Sequence, residues 1–239
     1  SRHLLEIGDF RLLVDCGMFQ GLKELRLLNW EPFPVDPATI DAVVITHAHI
    51  DHTGYLPRLV KEGYSGPIYC TEATMELMKI LLLDAAKLQE EEARWAKKKG
   101  YSKHEDPKPL YDEEDAKSVF PLLKPSVYER ELNIHDRVSV LFRNAGHILG
   151  AASVQLTIQG DEQQKKIVFS GDLGRYEDPM LFPPEPFSEA DILFVESTYG
   201  DRDNPMNHPA EEFAGVVQRS LERQGCLLIP AFSVGRTQL

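Results

Sequence analysis

The stretch Ala42-Val43-Val44-Ile45-Thr46-His47-Ala48-His49-Ile50-Asp51-His52 decides how this chain is read. Residues 42–45 are apolar and rich in Val and Ile, the mark of a short buried strand. Side chains of an extended segment alternate, so an extended exit from that strand places His47, His49 and Asp51 on one side. A turn into a helix at Thr53-Gly54 then swings His52 to the opposite wall of the same pocket. Three imidazoles and a carboxylate within six residues form a zinc-type donor set. Donors on two walls suit two metal ions. Solvated histidines at a strand end are the bland alternative, but crowded imidazoles repel one another once protonated.

Two metals need more donors than one loop carries, and other strand ends supply them. Residues 137–142 alternate as a strand and run into Asn144-Ala145-Gly146-His147, where the glycine permits a sharp turn and leaves His147 on the rim. Ile167-Val168-Phe169-Ser170 is a second apolar strand and ends in Gly171-Asp172. A carboxylate there can bridge two cations, one oxygen to each. Phe10-Arg11-Leu12-Leu13-Val14 repeats the pattern before Asp15-Cys16-Gly17. Asp15 is expected beside the metals, accepting the second N–H of a ligating imidazole and fixing its ring, with a simple turn aspartate as the alternative.

In this order and at these separations, Asp15, the His47-X-His49-X-Asp51-His52 run, His147 and Asp172 resemble the motifs of the metallo-β-lactamase superfamily. Two later segments narrow the likeness. Ile192-Leu193-Phe194-Val195 leads into Glu196-Ser197-Thr198-Tyr199-Gly200-Asp201-Arg202, and further on stands Ile229-Pro230-Ala231-Phe232-Ser233-Val234-Gly235-Arg236-Thr237-Gln238. Both resemble the β-CASP branch, whose members are mostly nucleases of RNA processing, among them the cleavage-and-polyadenylation endonuclease and its bacterial and archaeal relatives. The resemblance covers essentially the whole chain.

It implies an α/β fold: a four-layer αββα sandwich over residues 1–200, and over 201–239 the start of an inserted α/β β-CASP domain. It also implies two Zn²⁺ ions, the first held by His47, His49, His147 and Asp172, the second by Asp51, His52 and the bridging Asp172. Glu196 is implied as the carboxylate that orients a distal catalytic histidine. Ser233 and Arg236 are candidates for contact with a substrate phosphate, against the alternative of a helix cap and a solvated arginine. In that branch two further histidines follow the Pro-Ala-Phe-Ser-Val-Gly-Arg segment, one completing the second metal's shell and one acting in protonation. The chain ends at Leu239 and opens inside a strand without Met, so it is expected to be a fragment of a longer protein.

The expected activity is metal-dependent phosphodiester hydrolysis by a ribonuclease of RNA processing or decay. Two zinc ions sharing a water bring its pKa towards neutrality, and Asp51 orients the nucleophile. Single-stranded RNA is the expected substrate, and a homodimer or an RNA-processing complex the expected assembly. Two alternatives stand beside it. One is a hydrolase of a small ester, thioester or lactam, which applies the same site to a carbonyl. The other is a non-catalytic scaffold subunit of an RNA-processing complex.

Composition sets bounds. A chain of 239 residues with 42% hydrophobic content can bury a sizeable core. Lys and Arg number 26 against 38 Asp and Glu, a net charge of −12, the wrong sign for a phosphate-binding surface. Two zinc ions add about four positive charges where a phosphate must sit. Residues 201–239 carry four Arg against five acidic groups, so the acidity belongs to the first 200 residues. No apolar stretch approaches the ~18 residues of a membrane helix, and no signal peptide stands out. Cys16, Cys70 and Cys226 are an odd, scattered set that suits free thiols in a reducing compartment, hence a cytoplasmic enzyme.

Between the motifs, Thr53–Glu62 reads as a helix and Gly66–Cys70 as a strand. Thr71-Glu72-Ala73-Thr74 caps a helix with Met75, Leu77, Met78, Leu81 and Leu82 on a broad apolar face. Glu90-Glu91-Glu92 and Lys97-Lys98-Lys99 read as a solvated face rather than a binding patch. Asp106-Pro107-Lys108-Pro109 is expected to break that helix, and Asp112–Leu122 to start another. His3, His104 and His135 stand outside the donor set, and His208 reads as a helix cap.

Overall fold

Alternating apolar residues in 3–14 form a hairpin in the computed structural model, β1 (His3–Ile7) antiparallel to β2 (Phe10–Val14). The structure describes residues 1–100, 106–161, 163–201, 209–235 and 237. After the short α1 (Lys23–Leu27), three strands add to β2 in parallel: β3 (Ala42–Val44), β4 (Ile68–Thr71) and β5 (Leu123–Ser126). Parallel neighbours need crossovers. These are α2 (Ile50–Thr53) with α3 (Leu56–Lys61), then α4 (Glu72–Lys99) with α5 (Glu113–Val119). The first sheet is ordered β1-β2-β3-β4-β5.

The second sheet contains β6 (Leu132–His135), β7 (Val138–Asn144), β8 (Ala152–Gln159), β9 (Gln164–Phe169) and β10 (Ile192–Phe194), ordered β10-β9-β8-β7-β6. Its pairs are antiparallel apart from β9 with β10. The two sheets meet face to face through Leu12, Val14 and Val44 on one side and Val140, Phe142, Val154, Leu156 and Phe169 on the other. Phe142 is fully buried there. Its truncation to Ala would cost ~3–5 kcal/mol.

The period of two carries the next layer. Leu13 and Val43 point away from the inter-sheet core and are also fully buried, because the helices cover that face. α4 packs on β4 and β5, and α5 packs on α3 and α4. On β8 the alternate residues Ser153, Gln155 and Thr157 are polar yet buried, with Ser153 and Gln155 donating to the carbonyls of Ser170 and Glu189. Among the described residues 123–195 there is no helix. The α/β class and the paired sheets implied by the resemblance are present, with one helical layer within residues 1–195.

Several boundaries differ from expectation. The helix expected from Thr53 is two short helices, and the first begins at Ile50. The charged run 84–99 lies inside the 28-residue α4, which ends at Gly100, not at Asp106-Pro107. Gly100 takes the left-handed conformation (φ 66°) and its N–H returns to the Ala96 carbonyl, which closes the helix before the prolines are reached. Asp112 caps α5 reciprocally with Asp115.

By backbone contacts the chain divides into two compact units, Ser1–Val195 and Glu196–Leu239. The second contains α6 (Pro209–Glu222). Among the described residues no helix is long and apolar enough to cross a membrane.

Candidate metal centre

Four strand ends build the site. At the end of β2, Asp15 is buried and adopts a left-handed backbone (φ 58°), a conformation Asp and Asn tolerate better than other L residues. Its N–H donates to the Val44 carbonyl at 2.9 Å. Its carboxylate collects donors: the Thr46 amide at 2.8 Å, the Thr46 hydroxyl at 3.0 and 3.1 Å, and His52 Nδ1 at 2.7 Å. Cys16 N–H to the His52 carbonyl (2.7 Å) and Met18 N–H to the Ile50 carbonyl (3.0 Å) dock this loop on α2. The approach is so close that a Cβ on Gly17 would lie 1.6 Å from the Asp51 carbonyl oxygen.

Beyond β3 the chain stays extended only to His49, which precedes α2 with φ −59° and ψ 148°. His47 is buried and His49 partly buried. Asp51 already belongs to the first turn of α2. Its side chain is 52% exposed and faces His52, Oδ2 to Nε2 3.8 Å. The common side expected for His47, His49 and Asp51 therefore ends at His49, because the helix begins at Ile50 rather than at Thr53.

The loop after β7 turns at Gly146 (φ 66°) and presents His147. It is held by Ala145 N–H to the Ala151 carbonyl and by two threonine hydroxyls, Thr71 (2.6 Å) and Thr74 (2.8 Å), donating to the Gly150 carbonyl. The Ala152 amide donates to the Thr46 carbonyl at 2.9 Å, a direct tie between the two sheets beside His47. After β9, Asp172 enters the same space. The segment is fixed by Gly174 N–H on the Ala145 carbonyl at 2.8 Å, and a Cβ on Gly174 would meet the Gly146 oxygen at 1.7 Å.

These loops bring one donor atom each from His47, His49, His147 and Asp172 within 4.8 Å of one another. His49 Nδ1 lies 3.1 Å from His47 Nε2 and 3.2 Å from His147 Nε2. Asp172 Oδ2 lies 3.7 Å from His47 Nε2 and 3.5 Å from His147 Nε2. Four ligands on a tetrahedron at zinc distances of about 2.0–2.1 Å stand about 3.3–3.4 Å apart, so the donor set fits a zinc-sized cation. The other carboxylate oxygen of Asp172, Oδ1, lies 3.2 Å from His52 Nε2. Asp172 thus offers one oxygen to the three-histidine group and one to the side where His52 and Asp51 stand.

Electrostatics divide the imidazoles. Burial, reinforced by His52, holds His47 well below the usual imidazole pKa. Burial and the nearby His147 also lower the pKa of His49. Burial also opposes charge on His52, but Asp15, joined by Asp172, outweighs it and pushes the ring up to about 10. For Asp172 burial acts upward, and the hydrogen bond from His52 with the surrounding imidazoles still holds it below the carboxylate range. His47 and His49 are neutral donors with lone pairs to give, whereas His52 must lose a proton before it can ligate.

Glu196 and Ser233 belong to the second compact unit, where Glu196 Oε2 accepts the Thr198 amide at 3.1 Å and Ser233 is exposed. Arg236, His104 and His208 lie outside the described residues. His135 stacks on Phe10 at 4.4 Å, and the His3 ring packs 5.3 Å from both Phe169 and Phe194. Thr46 and the Thr71–Thr74 pair escape a sequence reading as parts of the site. Their partners lie 31, 79 and 76 positions away, and only the cap role of Thr71 leaves a local signal.

The model of the Metallo-beta-lactamase superfamily matches residues 3–205, which contain every residue of this centre. Over its whole length the chain is 40% identical to Ribonuclease TTHA0252 of Thermus thermophilus and covers 50% of that protein. It is 39% identical to Transcription termination factor FttA of Methanosarcina mazei, again over all of this chain, and covers 36% of that protein. An RNase J-like protein of Methanocaldococcus jannaschii is 32% identical over 98% of the chain, which covers 48% of it. The chain spans half or less of the length of these relatives.

Proposed function

Because the chain belongs to the metallo-β-lactamase superfamily, we propose that its centre serves zinc-dependent hydrolysis of phosphodiester bonds in single-stranded RNA. One observation carries the reading: Asp172 divides its two oxygens between the three-histidine group and His52. A carboxylate so placed is shaped to bridge two cations. His47, His49, His147 and Asp172 Oδ2 would hold one, and His52, Asp51 and Asp172 Oδ1 the other. Cations held there acidify water and neutralise charge on phosphate oxygens.

The protein's own groups supply position and proton handling. Burial keeps His47 and His49 neutral, while Asp15 and Thr46 fix the ring of His52. Asp51, half exposed at the rim, accepts a hydrogen bond from the attacking water and orients it towards phosphorus. The P–O bond to the leaving nucleotide breaks as the new one forms. Glu196 orients a catalytic imidazole, and residues 201–239 are read as the start of a β-CASP domain, in which Ser233 and Arg236 contact phosphate. The relatives named as a ribonuclease, an RNase J-like protein and a termination factor support RNA over a small ester or lactam. Cys16 and Cys70 as buried free thiols support a cytoplasmic setting.

The test joins metal content with cleavage. Protein purified without chelator should contain about two zinc ions per chain by elemental mass spectrometry. The metal-loaded complete gene product should cut end-labelled single-stranded RNA, and His52→Ala should abolish the cut without unfolding the protein. Intact RNA together with rapid turnover of a thioester or chromogenic lactam would overturn the reading.

A further inference from the structure

The C-terminal end of α4 has no part in the metal centre, yet it concentrates features that a helix end does not need. Arg94-Trp95-Ala96-Lys97-Lys98-Lys99 holds four cations and no acid in a chain of net charge −12. Ala96 is the buried residue of this turn, which orients the helix so that the Trp95 indole is left 52% exposed. Lys98 Nζ and Lys99 Nζ stand 5.3 and 5.7 Å from the indole centroid. Lys97 is paired with Asp106 at 2.8 Å, whereas among the described residues no carboxylate lies within ion-pairing distance of Lys98 or Lys99. Glu91, Arg94, Trp95 and Lys98 line an open groove of about 300 Å³.

Cations at a helix C-terminus complement the macrodipole, which accounts for lysines there but not for a large aromatic left in water among them. We infer that this end of α4 docks single-stranded RNA, with Trp95 stacking a base and Arg94, Lys98 and Lys99 meeting phosphates. A polynucleotide answers both features at once, since it offers anions at regular spacing and an aromatic face at every unit. A second copy of the chain answers neither, because a two-fold contact would set one cationic patch against the other. The inference rests on RNA being the substrate and adds where its distal part is held. α4 starts at the His147 loop, through Thr71, Thr74 and the Gly150 carbonyl. Trp95 lies 24 residues further on, about 36 Å along the axis. Only an RNA long enough to span that distance can use both places.

The test is binding in the presence of chelator, so that it is independent of cleavage. A Trp30→Phe background leaves Trp95 as the sole tryptophan of the two. Fluorescent-labelled oligouridine of about 20 nucleotides should quench Trp95, and Trp95→Ala should weaken its binding about tenfold. Lys98→Gln with Lys99→Gln should reduce the slope of log affinity against log salt by about 1.4. In cleavage, Trp95→Ala should raise KM for the long RNA and leave KM for a short one of about five nucleotides unchanged. Wild-type binding in both variants, no binding by the unaltered chain, or equal quenching by polyglutamate would overturn the inference. Trp95-dependent binding without any cleavage by the metal-loaded complete gene product would support this surface and overturn the nuclease reading alone. Cleavage with binding indifferent to Trp95 would do the reverse.

Discussion

Asp15 Oδ2 lies 2.7 Å from His52 Nδ1, and this contact aims the opposite ring nitrogen at Asp172 Oδ1, 3.2 Å away. Asp15→Asn preserves the left-handed backbone, which Asn tolerates, and removes the charge together with one of the two acceptor oxygens that face Thr46 and His52. Zinc affinity should fall 10- to 100-fold, read by competition with a chromogenic chelator. Asp15→Ala should also destabilise the fold by ~1–3 kcal/mol, since the Thr46 and His52 donors are left buried without an acceptor. Unchanged affinity in the Asn variant would remove Asp15 from the site.

The raised pKa of His52 makes the metal-free chain sensitive to alkali. A group raised from 6.5 to about 10 stabilises the fold fully below 6.5, and that contribution is lost as pH rises through about 10. Chelator-treated protein should therefore lose more Tm over this interval than His52→Gln does. Zinc entering beside His52 at neutral pH must expel its proton. Calorimetry in two buffers of different ionisation enthalpy should show about one proton released, and none from this position in the Gln variant.

Two glycines separate the halves of the centre. Gly17→Ala drives a Cβ into the Asp51 carbonyl oxygen, and Gly174→Ala drives one into that of Gly146. Neither obstacle is a flexible side-chain tip, so each change should cost ~1–3 kcal/mol or more in urea unfolding. The first should weaken the metal bound by His52 and the second the metal bound by His147. Equal loss of both metals in both variants would argue for one cooperative centre.

The Gly150 carbonyl accepts from both Thr71 and Thr74. Thr74→Val removes one hydroxyl at nearly constant shape and should cost ~1 kcal/mol. Thr71→Val also removes the cap of α4 and should cost more. In the double variant the amides of residues 148–151 should exchange faster with solvent. Retained protection there would show that the loop is held by other contacts.

The strand ends are legible because each apolar run stops at a Gly or a polar residue, whereas the order and register of the strands come from the structure alone. The helix start at Ile50 is not legible, because periodicity cannot show that the chain coils there instead of three residues later, which places Asp51 in the first helical turn. The helix α4 stops earlier than the prolines suggest, because Gly100 rather than Asp106-Pro107 closes it. The backbone of Asp15 and the tie from Ala152 to Thr46 have no sequence signature, since both depend on how the two sheets meet.

That meeting has a kinetic consequence. Asp15, His47, His147 and Asp172 come from both sheets and from segments as far as 157 positions apart, so no donor pocket exists until the sandwich has docked in register. Metal capture must then be among the last events of folding. Zinc would leave the refolding rate nearly unchanged and slow unfolding instead, acting as a latch that closes only on correctly assembled molecules.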